Sequence, residues 1–120
     1  MWRDVGLVAV GGAIGTAVRA GLTLALGDEL GPALVPLINV AGAFAIGILY
    51  GWRARMPATS RAARVQLFVG TGVLGGFTTY SALAVESVDL AQLWWGVATV
   101  VVGTAAAWAG VVAGRGGRVR

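Results

Sequence analysis

Four long apolar stretches punctuate this chain, over roughly residues 5–26, 34–51, 65–85 and 93–112. Each is near the ~20 residues a helix needs to cross the hydrocarbon core of a bilayer. Charged residues collect in the short connections between them. The pattern predicts an all-α integral membrane protein with four transmembrane helices, forming a single membrane domain over residues 1–120. No internal repeat, Pro/Ser-rich linker or low-complexity tract divides it. The first stretch follows Arg3 as a secretory leader would, yet it is too long for a leader's apolar core. It also contains Arg19 and lacks a convincing cleavage site, so it reads as a retained helix.

The third stretch, VQLFVGTGVLGGFTTYSALAV, is apolar enough to span but hostile to a helix in its middle. Gly70, Gly72, Gly75 and Gly76 weaken helical backbone, and the following Thr78, Thr79, Tyr80 and Ser81 offer it competing hydrogen bonds. Unwound backbone at membrane depth is tolerated only where protein buries it or water reaches it. A third helix broken near its centre and rich in hydroxyls therefore predicts an ion or solute site. Small residues recur at GxxxG spacing in Gly11/Gly15, Gly47/Gly51, Gly72/Gly76 and Gly110/Gly114. That spacing predicts tightly packed helices and oligomerisation.

Composition agrees with a membrane class: 58% of residues are hydrophobic, twenty are glycine, and only nine basic and five acidic residues are present. All nine bases are arginine. Their placement favours membrane orientation over nucleic-acid binding. Arg3, Arg53, Arg55, Arg61, Arg64, Arg115, Arg118 and Arg120 fall on one side of a four-span layout. The opposite loops carry Asp28, Glu29, Glu86 and Asp89 and no base. This asymmetry predicts both termini in the cytoplasm of a multi-pass cell-membrane protein. Trp2, Trp52, Trp94 and Trp95 fall at span ends, as interfacial aromatics do. Arg19 alone lies within a span. It reads as a vestibule residue or, preferably, a helix-end anchor that snorkels outward, with Asp28 and Glu29 as candidate partners.

The absent residues exclude chemistry. Without cysteine or histidine there is no disulfide, thiolate metal site or imidazole shuttle. No acid lies mid-span, which removes the central part of a proton-coupled pump. Small four-helix drug or cation exporters rely on a glutamate in the first span, and residues 5–26 contain none. Ser81 and the threonines have no base to activate them, so no enzyme is expected. What remains at mid-depth is neutral and hydrogen-bonding: Asn39, the hydroxyl run and freed backbone near Gly75. Uncharged donors suit a small anion that must bind yet leave, whereas freed carbonyls suit a hard cation such as Na⁺. These residues alone leave the ion undecided.

Three motifs bear a family resemblance. Gly12, Gly15 and Arg19, in GAIGTAVR, resemble the first-span pattern of the CrcB/Fluc fluoride channels. Asn39 and Gly42, with Gly47, resemble the N-x-x-G motif of the second span, and GGFTTYS from Gly75 resembles the signature GGFTTFST. Length, span count and order match too. The resemblance implies passive export of cytoplasmic fluoride, protecting the cell, through two subunits paired antiparallel in the lipid bilayer. It implies a structural Na⁺ at the dimer interface, not transported, held by the backbone carbonyls of Gly75 and Thr78. It places Asn39, Tyr80, Ser81 and Leu83 along the fluoride pathway.

Departures from the family pattern shape the expectation. Leu83 stands where a second pore phenylalanine is usual, and an aliphatic side chain lacks the positive ring edge. Ala82 replaces a threonine, and Leu34 and Val35 stand where a Gly-Thr pair is common. A subunit inserting both ways should carry little arginine bias, but this one is strongly biased. The combination predicts one half of a heterodimer whose homologous partner has the opposite bias. A non-conducting structural subunit of such a channel, or a small four-helix drug or cation exporter, is the alternative.

Overall fold

The computed structural model describes residues 1–78 and 90–116 (for 90–92, the backbone only). Helix α1 runs over Trp2–Leu30, and Gly31 ends it with φ +51°, a conformation that costs glycine little. A 3₁₀ turn, Gly31–Ala33, carries Pro32 and leads into α2, Leu34–Arg53. Thr59 then caps the short α3, Ser60–Val65, its Oγ1 accepting from the Ala62 N–H at 3.2 Å. The helix widens to π pitch over Gln66–Leu74, returns to a single α turn, α4, at Gly75–Phe77, and leaves helical geometry at Thr78. Helix α5 spans Leu90–Gly114.

All elements among the described residues are helical, as the apolar pattern predicts. The helical runs Trp2–Arg53 and Leu93–Gly114 are long and apolar enough to cross a membrane. Helices α1 and α5 extend past the expected spans at both ends and α2 at its C-terminal end, carrying Asp28 and Glu29 within α1 and Arg53 within α2. The break also falls later than the glycines suggest. Gly70, Gly72, Gly75 and Gly76 all remain helical, and Thr78, with φ −80° and ψ 155°, is the residue that departs.

Packing is inverted relative to a water-soluble domain. The buried positions are mostly glycines, joined by Leu34, Ile38 and Thr99. Large apolar side chains face outward instead, among them Leu24 at 88% exposure and Trp94 at 74%. Water would penalise such a surface, whereas lipid would not. Close approach of backbones, not burial of bulky side chains, holds these helices together.

Two helix pairs carry that approach, and each uses two of the GxxxG motifs. A Cβ added at Gly11 would stand 2.9 Å from Gly72 Cα, and one at Gly72 would stand 2.9 Å from Gly11 Cα. Gly15 lies against the Val73 carbonyl and Phe77, and Gly76 against the Gly12 carbonyl. In the second pair Gly47 lies against Ala107, Gly51 against Val111, and Gly110 and Gly114 against Phe44 and Ile48. Residue numbers rise together in both, so α1 runs parallel to the third helical segment and α2 parallel to α5. The four motifs are therefore used within the chain. The tight packing that their spacing predicts is thus formed within the chain.

Candidate functional site

The helix break is the centre of the candidate site. Two donors from Thr78 converge on the Leu74 carbonyl, its N–H at 3.0 Å and its Oγ1 at 2.9 Å. These bonds close the last turn while the extended Thr78 backbone turns the chain away. Helix α1 buttresses the turn: Thr16 Oγ1 donates to the Gly76 carbonyl at 3.4 Å. Helix α2 supports it from another side, where Gly42 lies directly against the Thr78 methyl and a Cβ there would be 3.5 Å from Phe77 Cδ1. Gly42 can hold this position because it has no side chain of its own.

Asn39 precedes Gly42 by three residues, on the same side of α2, and is half-buried. The break and the asparagine thus come within one helical turn of each other although 39 residues separate Asn39 from Thr78. Helix α5 adds Thr99 at that level, since contacts of Ala43 with Gly103 and Gly47 with Ala107 set a register that aligns Asn39 with Thr99. Thr99 is only 6% exposed, and its Oγ1 donates to the Trp95 carbonyl at 2.7 Å. Thr104 likewise donates to its own helix, at Val100. Neither Thr16 nor Thr99 could be assigned from sequence, because a threonine in an apolar helix bonds its own carbonyl ladder equally well. Thr79, Tyr80, Ser81 and Leu83 lie outside the described residues.

Arg19 sits one turn beyond Gly15 on α1 and is half-buried, with its Nε buried and unpartnered. It forms no ion pair with Asp28 or Glu29, both of which are exposed. The expected pairing fails for a geometric reason. Helix α1 continues straight through Leu30, which sets Asp28 about 13 Å further along the axis at 1.5 Å per residue.

Charge is segregated by the packing. The hollow between α1 and α3 has Leu7 together with Arg61 and Arg64 on its walls, and Trp52 at the end of α2 shares a second hollow with Arg61. Arg55 reaches the end of α5, its Nη1 3.2 Å from a Cβ placed at Gly116. The start of α1, the end of α2, α3 and the end of α5 therefore gather at one pole. No group of three or more acidic residues that could hold a metal exists among the described residues. Oxygen ligands at this site would have to come from backbone, hydroxyls or the Asn39 amide.

Residues 6–114 match the family described as CrcB-like protein, Camphor Resistance (CrcB). The chain belongs to the CrcB family. Among its relatives, fluoride-specific ion channel FluC 2 of Leifsonia xyli subsp. xyli is 43% identical over 121 residues, covering 93% of this chain and 83% of the relative. FluC 2 of Halobacterium salinarum is 38% identical, covering 94% and 84% of the two chains. FluC of Gloeobacter violaceus is 35% identical, covering 96% and 98%. These relatives are named as ion channels and not as enzymes. The match takes in every element around the break, so the glycine-paired frame and the Thr78 turn are parts of a CrcB-family chain.

Proposed function

We propose that this CrcB-family chain is a fluoride-selective channel subunit that exports cytoplasmic fluoride passively. One observation carries the reading: the third helical segment breaks at Thr78, against Gly42 and within one helical turn of Asn39. The Thr78 donors shape the turn by bonding Leu74, and the neutral groups proposed to replace part of an anion's hydration shell are the Asn39 amide and the Tyr80 and Ser81 hydroxyls. Family membership and the names of relatives select fluoride among small anions.

Four alternating crossings of the cell membrane are part of this proposal. The parallel pairing of α1 with the third segment, and of α2 with α5, supports it, because successive spans joined by short loops must alternate. Gathering of the arginine-bearing ends at one pole supports cytoplasmic termini. The fluoride pathway is proposed to use Asn39, Tyr80 and Ser81, with Leu83 narrowing or disabling one route. Arg19 is proposed as a helix-end anchor, with a vestibule role as the alternative.

A structural Na⁺ is proposed on the backbone carbonyls of Gly75 and Thr78, facing a second subunit in antiparallel orientation. The residues fit a hard cation: Gly75 is exposed with no side chain to block approach, and Thr78 carries its carbonyl out of the helical direction. Such an ion would lock two subunits together. The partner is proposed to be a homologue of opposite charge bias. A non-conducting scaffold is the second reading, favoured by Leu83 alone.

Fluoride efflux from liposomes tests the proposal, first with this chain alone and then with an opposite-bias homologue. Flux in the paired sample only would support the heterodimer. Flux from the chain alone would keep the channel and remove the heterodimer, and silence in both would leave the scaffold.

A further inference from the structure

Helix α3 separates two apolar hollows at the arginine-bearing pole. One, of about 400 Å³, lies between the end of α2 and α3, with Trp52, Met56, Pro57 and Ala62 on its walls. The other, of about 410 Å³, lies beside the start of α1, with Leu7, Phe68 and Val69 on its walls. Arg61 and Val65 border both, and Arg64 borders the second. Arg61 and Arg64 are three residues apart on α3, so their side chains leave the same side of the helix.

Among the described residues neither arginine forms an ion pair. Residues 53–64 contain four arginines and no acid. The ion pair found among the described residues joins the amino terminus to Asp4 at 3.9 Å, one turn before Leu7 on α1, and not to either arginine. Both guanidiniums are exposed and stand at the end of membrane-spanning helices. A guanidinium pair not engaged by a carboxylate suits a phosphate, which it can bind in bidentate fashion. The flanking hollows add a requirement that a free ion does not meet, because apolar walls on both sides gain only from an amphiphile.

We propose that this pole is a binding site for an anionic diacyl phospholipid of the adjacent leaflet. Its phosphodiester sits on Arg61 and Arg64, and its acyl chains enter the two hollows on either side of α3. Basic pockets at the ends of transmembrane helices recognise anionic head groups in this manner. The inference rests on the membrane reading of the chain and not on fluoride conduction.

The test is a binding measurement that requires no transport. Purified protein in neutral detergent is titrated with dioleoyl phosphatidylglycerol or with dioleoyl phosphatidylcholine, and bound lipid is counted by native mass spectrometry. Phosphatidylglycerol should bind more tightly, and R61Q/R64Q should weaken it about tenfold or more. R55Q, whose arginine borders neither hollow, should leave affinity unchanged. If R61Q/R64Q does not fold, A62W, which fills the hollow beside Trp52, should lower phosphatidylglycerol occupancy instead. Equal affinity for the two lipids would overturn the proposal, as would competition by inorganic phosphate at the lipid's own concentration. So would unchanged binding in folded R61Q/R64Q.

Discussion

Gly42 of α2 lies against the methyl group of Thr78, the residue at which the third helical segment leaves helical geometry. The contact joins the N-x-x-G motif of the second span to the hydroxyl run of the third. It makes the position of the break a property of two helices, not of one. A side chain at 42 would push directly on the turn.

Gly42→Ala should therefore destabilise the protein by about 1–3 kcal/mol, the usual cost of overpacking a tight contact. Fluoride efflux should fall with it. Adding Thr78→Ser removes the offending methyl and keeps the hydroxyl, so G42A/T78S should recover most of the loss. A melting temperature equally low in the double variant would show that the methyl contact is not the cause.

The close helix pairs make a second prediction. Gly15→Ala would drive a Cβ into the Val73 carbonyl and to 2.8 Å from the Phe77 nitrogen, both backbone atoms that cannot swing aside. Gly21, on the same helix, has nothing within 4 Å of such an atom. Thermal melting in detergent should show G15A strongly destabilised and G21A unchanged or stabilised by up to about 1 kcal/mol from helix propensity. Similar melting temperatures for the two variants would contradict the packing described here.

Charge segregation predicts a single orientation. Reporter fusions at both termini should read cytoplasm in nearly all molecules, because the arginine-bearing ends share one pole and resist translocation. An even split would remove the basis for an opposite-bias partner.

Leu83→Phe tests the pathway itself. Restoring a ring edge should raise fluoride efflux of the assembled channel if this subunit's route is otherwise intact. No change in flux, with the protein folded and paired, would favour the scaffold reading.

Much of this protein was decided locally. Apolar runs of spanning length, the Gly31-Pro32 stop, the Thr59 cap and the one-sided arginines act through neighbouring residues and the bilayer, so the order of residues sufficed for an all-α membrane reading. The family motifs in the first, second and third spans were legible for the same reason. Three features depended on tertiary contact. Glycine content marked residues 70–76 as weak helix, yet tight seating on α1 keeps Gly72 and Gly76 helical and moves the departure to Thr78. GxxxG spacing announces close packing without naming a partner, and only the register shows that α1 takes the third segment and α2 takes α5. Arg19 looked free to reach Asp28 until the unbroken length of α1 separated them. Spacing along a chain determines which residues share a helix face, but which faces meet, and at what level, is settled by the backbone contacts between helices.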